Sequence, residues 1–262
     1  MQFDLKGKNA LVCGSTQGIG KASAFALADA GAEITLVARN PDKLKQVKNE
    51  LATDYGQVHQ LIVADFSEPN VLAEQVQLTL NDDKTFHILV NNTGGPPGGQ
   101  IFSAGVEAFE SAFTQHLKCN HLLVQAVVPG MKAAEYGRII NIISTSVKQP
   151  LTGLGVSNTI RGAVASWAKT MANELGEFGI TVNNVLPGAT ATERLASIIK
   201  SKAEKTGQTV EQVTQQMKSS VPAKRFAEAS EIAAAVVFLA SDLASYVNGV
   251  NLPVDGGRTK CL

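Results

Sequence analysis

Gly14, Gly18 and Gly20 punctuate the run Cys13-Gly14-Ser15-Thr16-Gln17-Gly18-Ile19-Gly20. A short apolar stretch, residues 9–13, precedes this run, and an alanine-rich stretch of helical pattern follows it. Glycines between a strand and a helix let the backbone come close to a pyrophosphate, and the helix N-terminus offers amide donors and the positive end of its dipole. Glycines also serve plain tight turns, so the weight rests on their placement after the first strand. That placement assigns Gly14, Ser15, Thr16, Gln17, Gly18, Ile19 and Gly20 to a dinucleotide cradle. The next apolar run ends in Val37-Ala38-Arg39-Asn40, without an acid. An acid there would accept the adenosine ribose 2′-hydroxyl and repel a 2′-phosphate, whereas Arg39 can donate to that phosphate. These residues predict NADP(H), preferred over NAD(H); a solvated surface arginine is the plain alternative.

The elements that must hold these residues alternate along the chain. Short apolar or β-branched runs occupy residues 9–13, 34–38, 61–64, 88–90, 139–143, 181–185 and 250–254, as expected of strands buried on both faces. Helical patterns fill residues 21–30, 42–51, 71–80, 117–134, 157–178 and 230–240, the last with Ser230 as its expected cap. Strand and helix in alternation predict an α/β fold: a Rossmann-type, doubly wound parallel sheet of about seven strands with helices on both faces. The rhythm breaks after the sixth run. Residues 191–205 and 210–220 read as two short amphipathic helices separated at Gly207. Extra helices beyond the C-terminal end of a strand sit where such sheets bind ligands. The expectation is one dinucleotide-binding domain over residues 1–262, with a substrate lid at 188–225.

Composition narrows the function classes. The 262 residues carry 23 Lys and Arg against 23 Asp and Glu, so the basic excess of a nucleic-acid surface is missing. With 44% hydrophobic and 18% charged residues the chain is too apolar for disorder, and its apolar runs are too short to span a membrane. The first residues lack the apolar region of a signal peptide. Cys13, Cys119 and Cys261 are too scattered for a metal knuckle or a disulfide framework, so no metal site and a reducing cytoplasm are expected.

Taken together, these residues resemble the short-chain dehydrogenase/reductase family. The glycine turn is similar to the family's Thr-Gly-x-x-x-Gly-Ile-Gly, with Cys13 in place of the threonine. Asn91-Asn92-Thr93-Gly94 resembles the Asn-Asn-Ala-Gly stretch after the fourth strand, and Val254-Asp255-Gly256-Gly257 the C-terminal signature. Among subgroups the likeness is to 3-oxoacyl-acyl-carrier-protein reductases, through Gly179-Ile180-Thr181-Val182-Asn183 and Glu231-Ile232-Ala233. The resemblance implies that Asp65 and Phe66 lie against the adenine, and that Asn92, Gly94, Pro187, Gly188 and Thr192 bind the cofactor, the last three facing nicotinamide. It also implies a homotetramer, with a dimer as the alternative, and a small-molecule or acyl-carrier-bound substrate.

The family's reaction needs a tyrosine to give a proton, a lysine one turn later to lower its pKa, a serine to orient the carbonyl and an asparagine to anchor a relay water. Aligned with that pattern, Asn-Ser-Tyr-Lys has become His116-Ser144-Ser157-Arg161. A serine hydroxyl is far too weak an acid to replace a phenol near pKa 10. Arg161 stays protonated but can donate to ribose hydroxyls. Ser157 and Arg161 are one turn apart, so both can face the cofactor. His116 is the nearby side chain whose ordinary pKa lies near neutrality, and so the candidate acid; a core histidine in the asparagine's place is the plain alternative. The run Gly94-Gly95-Pro96-Pro97-Gly98-Gly99 is expected to shape a rim beside the nicotinamide pocket, or to form an ordinary turn. Three readings follow: an NADP(H)-dependent oxidoreductase acting on a carbonyl, a hydroxyl or an activated double bond through a non-standard proton donor; a catalytically silent nucleotide-binding sensor or partner subunit; and a non-redox reaction on the same scaffold.

Overall fold

The computed structural model describes residues 3–80 and 84–261. Seven parallel strands form one sheet: β1 (Asn9–Cys13), β2 (Glu33–Ala38), β3 (Gln60–Val63), β4 (Ile88–Asn91), β5 (Gly137–Ile142), β6 (Ile180–Pro187) and β7 (Asn251–Val254). Their spatial order is β3-β2-β1-β4-β5-β6-β7. Alternate residues divide each central strand between two cores, as the period of two requires. Ala10 and Val12 of β1, Ile88 and Val90 of β4, and Ile140 and Ile142 of β5 pack toward helices α1 (Gly18–Asp29) and α9 (Ala229–Ala240). Leu11, Cys13, Leu89 and Ile139 face the opposite layer of α3 (Pro69–Leu80), α5 (Cys119–Ala133) and α6 (Gly155–Leu175). Every residue of β5 is buried, which accounts for its isoleucines at positions 139, 140 and 142.

One polar feature crosses this core. Asn91, Asn141, Asn184 and Asn251 stand side by side on β4 to β7, and each amide donates to the next oxygen at 2.8–2.9 Å. A buried amide costs free energy unless it is paired, so this ladder favours the observed strand register over a slipped one.

Three boundaries differ from the sequence expectation. The helix expected to begin at residue 117 begins earlier: α4 (Val106–Phe113) runs through a π-helical turn, Thr114–Lys118, into α5. The π turn inserts an extra residue, so the 3.6-residue pattern of α5 does not extend back into α4. Helix α9 starts at Ala229 rather than at a Ser230 cap; the Glu231 carboxylate accepts from the Glu228 N–H at 2.8 Å and holds Arg225 at 2.6 Å. Helix α6 stops at Leu175 and a 3-10 turn, Gly176–Phe178, completes the stretch. The remaining helices are α2 (Pro41–Glu50), α7 (Glu193–Thr206) and α8 (Val210–Ser219). Leu195, Ile199 and Ala203 of α7 meet Val213 of α8 in a small apolar cluster of their own.

Candidate active site

The strand order reverses between β1 and β4, and the loops leaving their C-terminal ends diverge there. A cleft of about 1600 Å³ opens at this point. Its walls come from the glycine turn after β1, Arg39 after β2, the glycine-proline rim after β4, Ser144 after β5, the start of α6, and α7 with α8.

Close packing explains the glycines. Gly14 adopts a φ of +59°, and a Cβ there would collide with the Asn92 carbonyl. A Cβ on Gly20 would collide with the Gly14 carbonyl and the Asn92 amide. Asn92 Nδ2 in turn reaches the Cys13 and Gly14 carbonyls at 3.3 and 3.4 Å, fastening the turn to β4. Gly14, Thr16, Gln17, Gly18 and Ile19 line the cleft, whereas Ser15 and Gly20 do not. Ser15 is buried and its hydroxyl donates to Val37 O at 3.3 Å, so it ties the turn to β2; Gly20 serves the approach of helix to strand. Both residues thus support the cradle from behind the cleft surface.

At the other positions expected to meet the cofactor, Arg39, Asp65, Phe66, Asn92, Gly94, Pro187, Gly188 and Thr192 all line the same cleft. Arg39 is largely exposed and lies 3.5 Å from Asp65. Burial opposes ionisation of Asp65, but the Ser67 N–H and hydroxyl and the Arg39 charge outweigh it and hold its pKa below the ordinary value. Thr192 caps α7, accepting from Leu195 N at 3.4 Å, with its methyl over Gly18. No acid other than Asp65 stands at the Arg39 end of the cleft, and the glycine cradle is open at its face. The residues present therefore fit a dinucleotide with an added phosphate.

Ser144, Ser157 and Arg161 all line this cleft. Ser144 Oγ accepts from Ser146 N at 3.1 Å, which leaves its own O–H free to donate. Arg161 is buried, and its Nη1 donates to Ile142 O at 3.0 Å. Burial, then the neighbouring Arg194 charge, pushes its pKa down to about 10, so it remains a cation at neutral pH.

His116 departs from expectation. It sits in the π turn, is buried, does not line the cleft, and pairs through Nδ1 with Thr93 Oγ1 at 2.5 Å. Burial, with a smaller contribution from the Arg161 charge, pushes its pKa down to about 3. The candidate acid is thus a neutral imidazole at physiological pH, and the plain reading of a core histidine fits its surroundings better. Tyr136 donates to Ala240 O, and none of the three tyrosines lines the cleft. Cys119 is buried with Sγ donating to Phe66 O; burial first raises its pKa, to about 11.

Sequence reasoning passed over several cleft residues. Arg194, two positions after Thr192, donates from Nη2 to Pro96 O at 2.8 Å and so connects α7 to the rim. The rim is pinned to the start of α6 as well, by Gly99 N to Gly153 O at 2.8 Å and Gly155 N to Gly99 O at 3.3 Å. The signal available for Arg194 was only a cation near a capping threonine, and its partner lies far away in sequence.

A parallel sheet in this order, with a glycine cradle at its switch point, defines a dinucleotide-binding scaffold. The family model described as "Enoyl-(Acyl carrier protein) reductase" matches residues 14–259. The chain belongs to the short-chain dehydrogenase/reductase family and is an oxidoreductase of that type. It is 30% identical over 256 residues to the NADPH-dependent reductase BacG of Bacillus subtilis, covering 97% of this chain and 99% of BacG. It is 34% identical to the 3-oxoacyl-[acyl-carrier-protein] reductase FabG of Haemophilus influenzae, covering 97% and 98% of the two chains. The crystal structure of L-sorbose reductase from Gluconobacter frateurii, complexed with NADPH and L-sorbose, superposes with a TM-score of 0.93 at 32% identity, covering all of both chains. These relatives do not favour the sensor or non-redox readings. Among the described residues, no helix is long and apolar enough to cross a membrane.

Proposed function

We propose that this chain is a reductase that uses NADP(H) in preference to NAD(H) and acts on an activated double bond or carbonyl without an enzymic acid of the tyrosine kind. The observation that carries this reading is the pairing of a formed cofactor cleft with an acid-free catalytic wall. Ser144 and Ser157 are weak acids, His116 is neutral with a pKa near 3, and Arg161 keeps its proton until about 10. The cofactor, when bound, supplies a hydride to a substrate carbon. The Ser144 hydroxyl then donates a hydrogen bond to the substrate oxygen, and the Arg161 cation stabilises the negative charge that grows there. Ser157, one turn before Arg161, keeps that wall polar. The proton that completes the reduction comes from water. Charge delocalised into an enolate makes the smallest demand on a proton donor, so an α,β-unsaturated carbonyl is the favoured substrate class. Such a group can be presented by a small molecule or by an acyl-carrier-bound chain. The free cysteines suit a reducing, cytoplasmic setting, and residues 188–225, whose two helices wall the cleft, are proposed as the lid.

Two measurements test this. NADPH should raise the melting temperature more than NADH at equal concentration. Reduced-nicotinamide absorbance should fall faster with enones than with matched saturated ketones, and Ser144→Ala should cost about 10²-fold in kcat, as for the loss of one oxyanion donor. Failure of both cofactors to stabilise the protein, or ketones reduced as fast as enones, would overturn the reading.

A further inference from the structure

The cleft holds more positive charge than the wall chemistry requires. Seven cationic side chains line it against two carboxylates, Asp65 and Glu193, although the chain as a whole is neutral. Arg39 and Lys43 stand at one end, after β2 and on α2. Arg161 and Arg194 stand elsewhere. A Cβ placed on Gly95 would lie 3.5 Å from Arg161 Nη2 and 3.7 Å from Arg194 Nη2, so the two guanidinium groups converge on one point at the rim. Among the described residues, each has a single hydrogen bond, to Ile142 O and to Pro96 O. Among the described residues, neither meets a carboxylate.

Two like charges beside each other, one of them buried, are unfavourable unless an anion joins them. Planar guanidinium forks match a carboxylate in geometry and bind it through paired hydrogen bonds. The point where they meet belongs to the cleft that Ser144 and Ser157 also line, and Gly95 leaves it open because it has no side chain. The cofactor's pyrophosphate has a separate cradle: Thr192 faces Gly18 there, while Arg194 reaches across to the rim. We propose that Arg194, with the Arg161 charge beside it, forms a substrate-anion site, and that the substrate carries a carboxylate alongside its reducible group. This rests on the reductase reading above and adds the substrate class to it. Arg194 belongs to α7, so the anion would also hold that helix against the rim through the same side chain that bonds Pro96 O.

The probe is trans-4-oxo-4-phenylbut-2-enoate, which has a ketone, an activated double bond and a carboxylate, set against its ethyl ester. Binding to the NADP⁺-saturated protein is measured by calorimetry, so no turnover intervenes. NADPH affinity is titrated separately for each protein. The acid should bind at least tenfold more tightly than the ester. Arg194→Gln should erase that gap and leave NADPH affinity within twofold; the side chain is exposed, so folding is not at stake, and Arg194→Lys should restore part of the gap. An acid that binds no better than its ester, whether both bind or neither does, overturns the proposal. So does a tenfold loss of NADPH affinity in Arg194→Gln with the acid preference intact, which would assign the arginine to the cofactor's phosphates. Absence of any NADPH binding by the unaltered protein would instead sink the reductase reading, a separate outcome.

Discussion

His116 should act on stability rather than on proton transfer, and its surroundings set the size of the effect. In the unfolded chain a histidine titrates near 6.5; in the fold His116 titrates near 3, because burial and then the Arg161 charge disfavour imidazolium. A group whose folded pKa is depressed contributes stability that is present above the unfolded value and is lost as pH falls toward the folded one. Each pKa unit corresponds to roughly 1.4 kcal/mol, so moving from pH 7 to pH 5 should remove about 2 kcal/mol through this residue. His116→Asn keeps a partner for Thr93 and removes the titration. Urea unfolding of both proteins at pH 7 and pH 5 measures the difference. His87 is also held below its ordinary pKa, by burial first and Lys8 second, but it is common to both proteins and cancels. The same substitution should leave no histidine limb in the rate profile between pH 6 and 8, because at pH 7 only about one molecule in 10⁴ carries the proton. Equal losses of stability in the two proteins, or a wild-type rate that falls through pH 6.5 and ceases to do so in the variant, would refute the argument.

Other outcomes follow from the cleft. Arg39→Asp should weaken NADPH binding ten- to hundredfold, the worth of roughly 1.5–3 kcal/mol for a charge-assisted hydrogen bond, and leave NADH binding nearly unchanged; an unaltered NADPH affinity counts against Arg39 as the phosphate donor. Gly20→Ala should destabilise by roughly 1–3 kcal/mol, since the added Cβ meets the Gly14 carbonyl, and thermal unfolding reads this directly. Ser157→Tyr with Arg161→Lys should gain activity on β-keto esters that the wild type handles poorly. Light scattering at micromolar concentration should give a homotetramer, or a dimer, and a monomer would refute the assembly expected from the family.

Much of this molecule is written in local patterns. The apolar runs are legible because a parallel strand buried on both faces is mostly apolar, and β5 shows it with three isoleucines among six buried residues, its Arg138 and Asn141 being hydrogen-bonded. The glycine turn is legible because close backbone approach excludes side chains. What escaped the sequence reading depends on packing over distance. The π turn at Thr114–Lys118 leaves no compositional mark, and it is what sets His116 behind Thr93 instead of in the cleft. The histidine's pKa is a property of its enclosure, so residue type alone misjudged it. The approach of Arg194 to Arg161 requires α7 to fold back over the rim, and no spacing between the two positions announces it.

The lysine position that the family resemblance implies for Arg161 gives an arginine there a physical logic that joins these observations. Burial and Arg194 lower the Arg161 pKa from 12.5 to about 10, which leaves it fully charged at neutral pH. A lysine starts near 10.4, below arginine, so the same burial and neighbouring charge would bring it closer to neutrality. In a site with a tyrosine such a lysine is useful, because it shares in the titration of the phenol. With Ser157 in that place there is no phenol to activate, and a partly neutral ammonium would only lose charge. An arginine keeps its charge through the same desolvation and presents a planar fork instead of a point charge. On the alignment that the resemblance implies, the serine and the arginine are one change rather than two: the wall gives up proton donation and gains a permanent cation, which suits the stabilisation of an oxyanion or the holding of a carboxylate.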